Sequence, residues 1–516
     1  MVQRCTLGSS TGRWVLLAAL LASSVAFLMG TAVSVALPSI QAYFASEVAG
    51  IQWVVNSQLL SLASLLLVGG ALGDHYGRKR VLAFGILVFA TGAVLSALAA
   101  RSISLLIGFQ ALQGVGAALM VPQSLAIIGA CYVEEERGRA IGLWAGLSGG
   151  IAALGPWLGG WVVETFSWQA VFLMPLPLLA GSLFALRFVP ANRDPNPRKL
   201  DWYGAALIFL ALLGLAYGLI SGPSAGWSTG YVLAGLAGGA GALIFFVLLQ
   251  LRGTKPLVPP RMLRNRLVAG ANIVTLFLYF ALNGLIFFLV LRLQQIQDYS
   301  PAEAGLAMLP PIILITFLAG PAGALADRIG PRLQMMVGPA TAAAGLGSLA
   351  VAGAEASYLK FFLPGLTLFG IGMALSIAPI TKSALSVESG LSGAASGFNN
   401  SVSRIAALLA VAILGAVVLA TFSTRLAQEL SSSGLDEAKQ LEILDEADKL
   451  GGIIVPDDFN GDERAVAERA ISNSFVYGFR WAMGVCALLA GAGTVVSFLL
   501  IRKTTRAPPN GDASTS

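Results

Sequence analysis

The sequence predicts an all-α membrane protein, with 14 transmembrane helices arranged as two six-helix bundles plus an inserted helix pair. Three observations predict it. The 516-residue chain is 56% hydrophobic and 11% charged, with a mean hydropathy of +0.79, whereas a soluble globule carries about 25% charged residues. Its apolar runs are long and continuous, fitting the roughly 20 residues that a helix needs to cross a hydrocarbon layer better than the short alternating segments of a barrel. Finally, a charged, glycine-broken turn, GALGDHYGRKR from Gly70 to Arg80, returns in weaker form as GALADRIGPR from Gly323 to Arg332, with Asp327 lying 253 positions after Asp74.

In chain order, the apolar runs place spans at 14–37, 51–72, 81–100, 103–129, 140–163 and 169–189, a first bundle covering 1–189. The run from Trp14 to Leu37 is longer than a signal-peptide core and lacks a small-residue cleavage site before the next span, so it is kept as a helix. VPANRDPNPRKLD, Val189 to Asp201, is Pro-rich and charged, the mark of a linker. Spans at 202–221 and 230–251 follow, then the basic, Pro-containing RGTKPLVPPRMLRNR, Arg252 to Arg266, so 190–266 is a linker carrying two extra helices. The second bundle covers 267–503, with spans at 268–291, 303–325, 334–353, 358–380, 395–420 and 475–501, and 504–516 reads as a disordered cytoplasmic tail. The connection 421–474 is long, polar and acidic. Its GLDEAKQLEILDEADKLGG portion has apolar residues at helical spacing, which predicts a surface helix whose role is open between a solvated cover and a docking element.

A net charge of +6 raises nucleic acid as a partner, but the distribution argues against it. With the N-terminus inside, more than twice as many of the 32 Lys and Arg residues fall in or beside cytoplasmic segments as in or beside outside ones. That is the positive-inside pattern of a multi-pass protein of the cell (inner) membrane, with both termini cytoplasmic. Cys5, Cys131 and Cys486 have neither a disulfide framework nor metal-ligand spacing. No P-loop signature is present, so neither a nucleotide nor any other cofactor is expected, and no catalytic residue is assigned. The repeat also extends past the charged turns: RAIGLW, Arg139 to Trp144, is echoed by AASGFN, Ala394 to Asn399. Parallel six-span repeats with a site between them near the bilayer midplane are what alternating-access carriers use.

GALGDHYGRKR and the six-two-six order resemble the major facilitator superfamily, specifically its fourteen-span drug/proton antiporter branch, over nearly the whole chain. Gly70, Leu72, Asp74, Gly77, Arg78 and Lys79 match the family's loop between spans two and three. LQGVGAA, Leu112 to Ala118, matches the fourth-span motif; GPWLGG, Gly155 to Gly160, the antiporter motif of span five; and TAVSVALPSI, Thr31 to Ile40, the end of span one. The resemblance implies an exporter of a small hydrophobic or amphiphilic compound, of multidrug-efflux type and driven by an ion gradient. The alternatives are an exporter or flippase of an endogenous lipid or metabolite with altered proton coupling, and a membrane sensor that binds such a ligand without moving it. Membrane lipid and protons are the other expected partners of what reads as a monomer.

Each motif has a physical reading. Asp74, a carboxylate beside helix ends, can accept backbone N–H groups and favour one docked arrangement. Arg78 can pair with it or with the run Glu134, Glu135 and Glu136. Gly70, Asp74, Gly77 and Arg78, with Asp327 and Arg328 in the second copy, are therefore expected to form a conformational latch; the bland reading is that these charges only fix topology. His75 reads as a solvated bystander rather than a proton sensor. In span five, Gly155, Pro156, Gly159 and Gly160, with Gly146, Gly149 and Gly150 before them, make a smooth face that Pro156 bends, which is either a hinge or plain helix packing.

Two positions depart from the branch. Its span-one signature usually opens with an Asp two residues before the Thr, where this chain has Met29, and its fourth-span motif usually carries an Arg three residues before the Gln, where this chain has Gln110. An intramembrane carboxylate with an Arg partner is the natural proton-coupling pair, and losing both together strands no buried charge. Glu164, Glu303 and Glu388 fall near predicted span ends and offer no replacement. Arg404, in GFNNSVSRIA, is the one charge placed inside a span, at roughly 2.5–3.5 kcal/mol on insertion scales, and is the foremost functional candidate. Asn56, Gln58, Gln110, Gln113, Asn272, Asn283, Asn399 and Asn400 are expected to line a central substrate site, with Trp53 and Trp144 as stacking surfaces. An apolar cavity with a few amides suits amphiphilic, aromatic cargo, although amides also glue helices together. Arg292, near an outer end, is expected to reach water.

Overall fold

The computed structural model describes residues 5–193, 201–252, 260–387 and 392–501; most of the first linker, part of the second, Glu388 and the tail lie outside them. Within the first bundle the helices are α1 (Ser10–Phe44), α2 (Val48–Tyr76), α3 (Arg78–Leu98), α4 (Ile103–Cys131), α5 (Glu134–Ala153), α6 (Gly155–Thr165), α7 (Trp168–Leu173) and α8 (Leu176–Leu186). The inserted pair is α9 (Trp202–Ala225) and α10 (Gly230–Arg252), followed by the short α11 (Pro260–Arg264). The second bundle has α12 (Arg266–Gln295), α13 (Pro301–Ala307), α14 (Leu309–Ile329), α15 (Pro331–Ala350), α16 (Leu363–Ala384), α17 (Ser392–Ser431), α18 (Glu437–Asp445) and α19 (Gly461–Leu500).

Thirteen helical stretches among the described residues are long and apolar enough to cross a membrane, where the sequence reading expects 14. The difference is α15: it is helical for 20 residues and packs between α16 and α19, but its run of Ala and Gly leaves it less apolar than the rest. The fifth span is not one helix. It breaks at Leu154, ahead of Gly155 and Pro156, where the proline has no N–H to donate and its ring crowds the preceding turn.

The duplication inferred from the motifs is repeated in the backbone. Gly77 joins α2 to α3 at φ 98°, and Gly330 joins α14 to α15 at φ 84°. Each donates its N–H at 2.9 Å to the carbonyl four residues earlier, of Gly73 and Ala326. Each turn is also braced by an amide, though from different places: Gln123 Nε2 of α4 donates to Gly69 O at 2.6 Å, and Gln334 Nε2 of α15 itself donates to Ala322 O at 2.8 Å. A positive φ is strained for any residue with a Cβ. Gly77→Ala is therefore expected to cost about 1–3 kcal/mol, read as a lowered melting midpoint of the purified protein; an unmoved midpoint would mean that the turn relaxes.

The inserted pair packs closely through glycines: a Cβ on Gly239 would sit 2.6 Å from the backbone N of Leu215. α9 lies against α2 and α17 through an apolar cluster that includes Leu60, Ala63, Leu212, Ala216, Leu408 and Ala412, so the pair seals one side of the seam between the bundles. Trp53 belongs here: its ring faces Tyr217 of α9 at 6.4 Å, not a central cavity. Arg292 also differs from expectation. It is fully buried, not reaching water, because α12 carries it between Phe362 and Phe479, whose rings lie 4.9 and 4.6 Å away, while Nη2 donates to the carbonyls of Ala352 and Gly353. Finally, α17 and α19 run well past the expected span ends, so the connection between them shortens to 432–460. The surface helix expected over 434–452 forms as α18 and a 3-10 turn, Ala447–Gly452.

Candidate functional site

A set of hydrogen bonds joins the two bundles at one end. Where α1 and α12 finish, Gln294 Nε2 donates to Val35 O at 2.9 Å and Gln295 Nε2 to Gln41 Oε1 at 2.9 Å. Nearby, Gln52 Nε2 reaches Val411 O at 3.2 Å, and Glu164 accepts from Ser300 Oγ at 2.9 Å and from the N–H of Ala302. These hydrogen bonds between the bundles lie at this far end, whereas those of Arg78, Lys79, Arg332 and Thr494 at the opposite end, where the Asp74 turn sits, stay within one bundle.

The glycine face of span five divides at the same break. Gly155 and Gly159 press on α1, where an added Cβ would lie 2.1 Å from Thr31 Oγ1 and 2.7 Å from Ala32 O. Gly160 crosses to the other bundle, with a Cβ position 2.1 Å from Pro301 O, and Gly305 of α13 returns the contact at 2.2 Å from Pro156 O. Pro156 is thus part of the joint and not only a bend. Gly146, Gly149 and Gly150 face open space instead, so the smooth face is a packing surface only beyond the break.

At mid-span the seam holds a cation among aromatic rings. Arg404 of α17 is half-buried, with its guanidinium 5.4 Å from the ring centre of Phe27 on α1. Tyr279 of α12 lies within electrostatic reach of it. One turn before Phe27, Ser23 accepts from Trp144 Nε1 of α5 at 3.1 Å. One turn beyond Tyr279, Asn283 donates to the Tyr279 carbonyl at 2.8 Å. Phe27 and Tyr279, which the sequence reading missed, are therefore brought to Arg404, with Asn283 one turn further along α12 and Trp144 held one turn before Phe27. Aromatic residues in an apolar run look like core; the only signal was the one-turn spacing of Tyr279 and Asn283.

The other amides are placed elsewhere. Gln110 and Gln113 are wholly buried and both donate to Ser96 Oγ of α3, at 3.2 and 3.0 Å, so they join α3 to α4. Asn399 Nδ2 donates to Asn272 Oδ1 at 3.1 Å and Thr275 Oγ1 at 2.9 Å, which joins α12 to α17. Asn400 is exposed and donates to Ser396 O. The Gln58 turn of α2 packs on Gly114 of α4. Asn56 has no exposure, and neither atom of its amide has a partner among the described residues. Met29 is buried in α1.

In the charged turn, Arg78 chooses Asp74 over the glutamate run. Its Nε and Nη2 donate to Asp74 Oδ1 at 3.1 and 2.9 Å, and Nη1 to Ala126 O of α4 at 3.0 Å. Three helix ends are thereby pinned within one bundle. Glu136 instead accepts from the N–H of Leu7. Gly70 leaves a Cβ position 3.7 Å from Pro122. In the second copy Arg328 is exposed, and the side chain of Asp327 lies outside the described set. His75 is half-buried against Tyr76.

A cap, 432–460, covers the joined end. Gln41 Nε2 of α1 donates to Lys449 O at 3.0 Å, and Asp448 meets Glu47, which caps α2. Burial, then the charge and hydrogen bond of Glu47, push the Asp448 carboxyl up from 3.8 to about 6, with Lys449 opposing and Glu446 adding. A raised carboxyl favours docking while protonated, so that stabilisation is whole below about pH 4 and fades as pH rises through about 6. Amide protection of 447–452 is expected to fall over that range. Glu47→Gln should move the fall to lower pH, and pH-independent protection would refute the pairing.

Two repeated helical bundles, hydrogen-bonded where α1 and α12 finish and holding a half-buried cation at their mid-span seam, define a multi-pass membrane transporter. The chain belongs to the Major Facilitator Superfamily, which it matches over residues 19–411. It is 32% identical over 484 residues to the multidrug resistance protein Stp of Mycobacterium tuberculosis (strain CDC 1551 / Oshkosh), covering 92% of this chain and 88% of that one. It is 28% identical over 500 residues to the tetracenomycin C resistance and export protein of Streptomyces glaucescens, covering 95% and 92%. The solved structure of a bacterial homologue of the human lysosomal transporter Spinster aligns with a TM-score of 0.65 at 16% identity, over 96% of this chain and 98% of that one, a likeness of fold alone.

Proposed function

We propose that this protein exports small hydrophobic or amphiphilic compounds, of the kind handled by drug-efflux relatives, by alternating access. Residues 1–189 and 267–503 move against each other, with 190–266 as the inserted helical linker. The observation that carries the reading is the Arg404, Phe27 and Tyr279 cluster, set at mid-span between bundles that hydrogen-bond to each other beyond it, where α1 and α12 finish. The names of the drug-resistance relatives support the cargo class. The basic residues crowding the Asp74 end support an orientation in the inner membrane with both termini and that end cytoplasmic, so that the cap faces outward. The protein works as a monomer in contact with lipid. Asp74 and Arg78 act as a latch that biases one arrangement, a task requiring only a few kcal/mol.

Expression in an efflux-deficient host should lower accumulation of amphiphilic dyes, and purified protein in proteoliposomes should move them. The second reading, an endogenous lipid or metabolite moved without the usual proton exchange, is favoured by Met29 and Gln110. Burial of Met29 and the Gln110 bond to Ser96 leave no proton-carrying pair at those places. Flux that is equal with and without a pH gradient would select it, and binding without flux would sink both.

A further inference from the structure

We propose that the mid-span site takes a planar aromatic cargo bearing a negative charge, with its anionic oxygen at the Arg404 guanidinium; this names the cargo class of the export site proposed above and rests on that reading.

Arg404 is a permanent cation with five N–H donors. None of them has a hydrogen-bond acceptor among the described residues, and no described ion pair includes Arg404. Its described neighbours are the ring of Phe27 and the nearby Tyr279. A π face stabilises a guanidinium but leaves its edge donors unused. The described Asp and Glu residues sit at helix ends, in loops or in the helix extensions that carry the cap, so no carboxylate stands at mid-span to neutralise it.

Four of the neighbouring side-chain N–H groups are already engaged. Asn272 Nδ2 donates to Val268 O, Asn283 to Tyr279 O, Asn399 to Asn272 and Thr275, and Trp144 to Ser23. Arg404 thus brings five N–H groups, unengaged among the described residues, to this cluster, together with its only formal charge. Oxygen bearing negative charge satisfies both demands at once, and a planar guanidinium suits the flat geometry of carboxylate, sulfonate or phenolate. The flanking rings of Phe27, Tyr279 and Trp144 provide apolar faces for a flat body. A cationic cargo would meet an unscreened like charge, which is the repulsive element that selectivity needs.

Purified full-length protein is tested with three fluorescent probes of one ring system: anthracene-2-sulfonate, anthracene-2-methanol and an (anthracen-2-ylmethyl)trimethylammonium salt. The sulfonate is expected to bind about tenfold or more tighter than the cation, with the alcohol between. Arg404→Lys should keep that order, Arg404→Gln should shrink it to within about threefold, and Arg404→Glu should reverse it. Preferential binding of the cation by the parent protein would overturn the proposal, as would an order unchanged in Arg404→Gln or no binding of any probe by a cooperatively melting protein. The two readings separate in proteoliposomes. The predicted binding order without movement of any probe leaves the anion site standing and removes export, whereas movement of the cation in preference to the sulfonate keeps export and removes the anion site.

Discussion

A Gly160→Val protein is expected to insert and fold but to lose transport by about tenfold or more. The Cβ would lie 2.1 Å from Pro301 O, a backbone atom of the opposite bundle, and 2.6 Å from its carbonyl carbon. Neither can rotate away, so closing this end requires the bundles to stand apart. Overpacking of this kind costs typically about 1–3 kcal/mol, and every 1.4 kcal/mol is about tenfold in a two-state population. The cost falls on the joined state, the one in which this contact is made. Thiol labelling at Gln294→Cys, which the joint covers, should rise in the same protein. Gly146→Val is the matched control, since Gly146 faces open space. Parent-like transport by Gly160→Val would show that the α6–α13 contact is not part of the cycle.

Arg404→Ala should separate stability from function. Removing a mid-span charge relieves a cost of roughly 2.5–3.5 kcal/mol on insertion scales, so the variant is expected to reach the membrane at least as well as the parent and to melt no lower. The lost contact with Phe27 offsets only about 0.5–2 kcal/mol of that. Transport, by contrast, should fall to background, because the described seam has no second cation to replace it. A structural arginine gives the opposite pair of results, a lower melting midpoint with residual transport in proportion to folded protein. Parent-like export would remove Arg404 from the site.

What could be read from the chain depended on how local the physics was. The spans were legible because each is a continuous apolar run that satisfies its own backbone. α15 is the weakest of these runs, since its Ala- and Gly-rich composition leaves it less apolar than the rest. The pairing of Asp74 with Arg78 was readable because it is an i,i+4 contact on neighbouring turns. The burial of Arg292 was not, since Phe362 and Phe479 come from helices far away in sequence. Nor could the chain say which way an amide turns. Gln110 and Gln113 look like cavity residues until Ser96 is seen opposite both. Phe27 and Tyr279 were hidden for the converse reason: they resemble core, and only the seam between bundles gives them a cation to face.

The 3-10 turn of the cap grows out of α17 and α19 yet is held through Gln41 by the first bundle. It therefore spans the joined end as a strap rooted in the second bundle and tied to the first, so the bundles can part there only by releasing the Gln41 contact or by drawing the strap along with the first bundle.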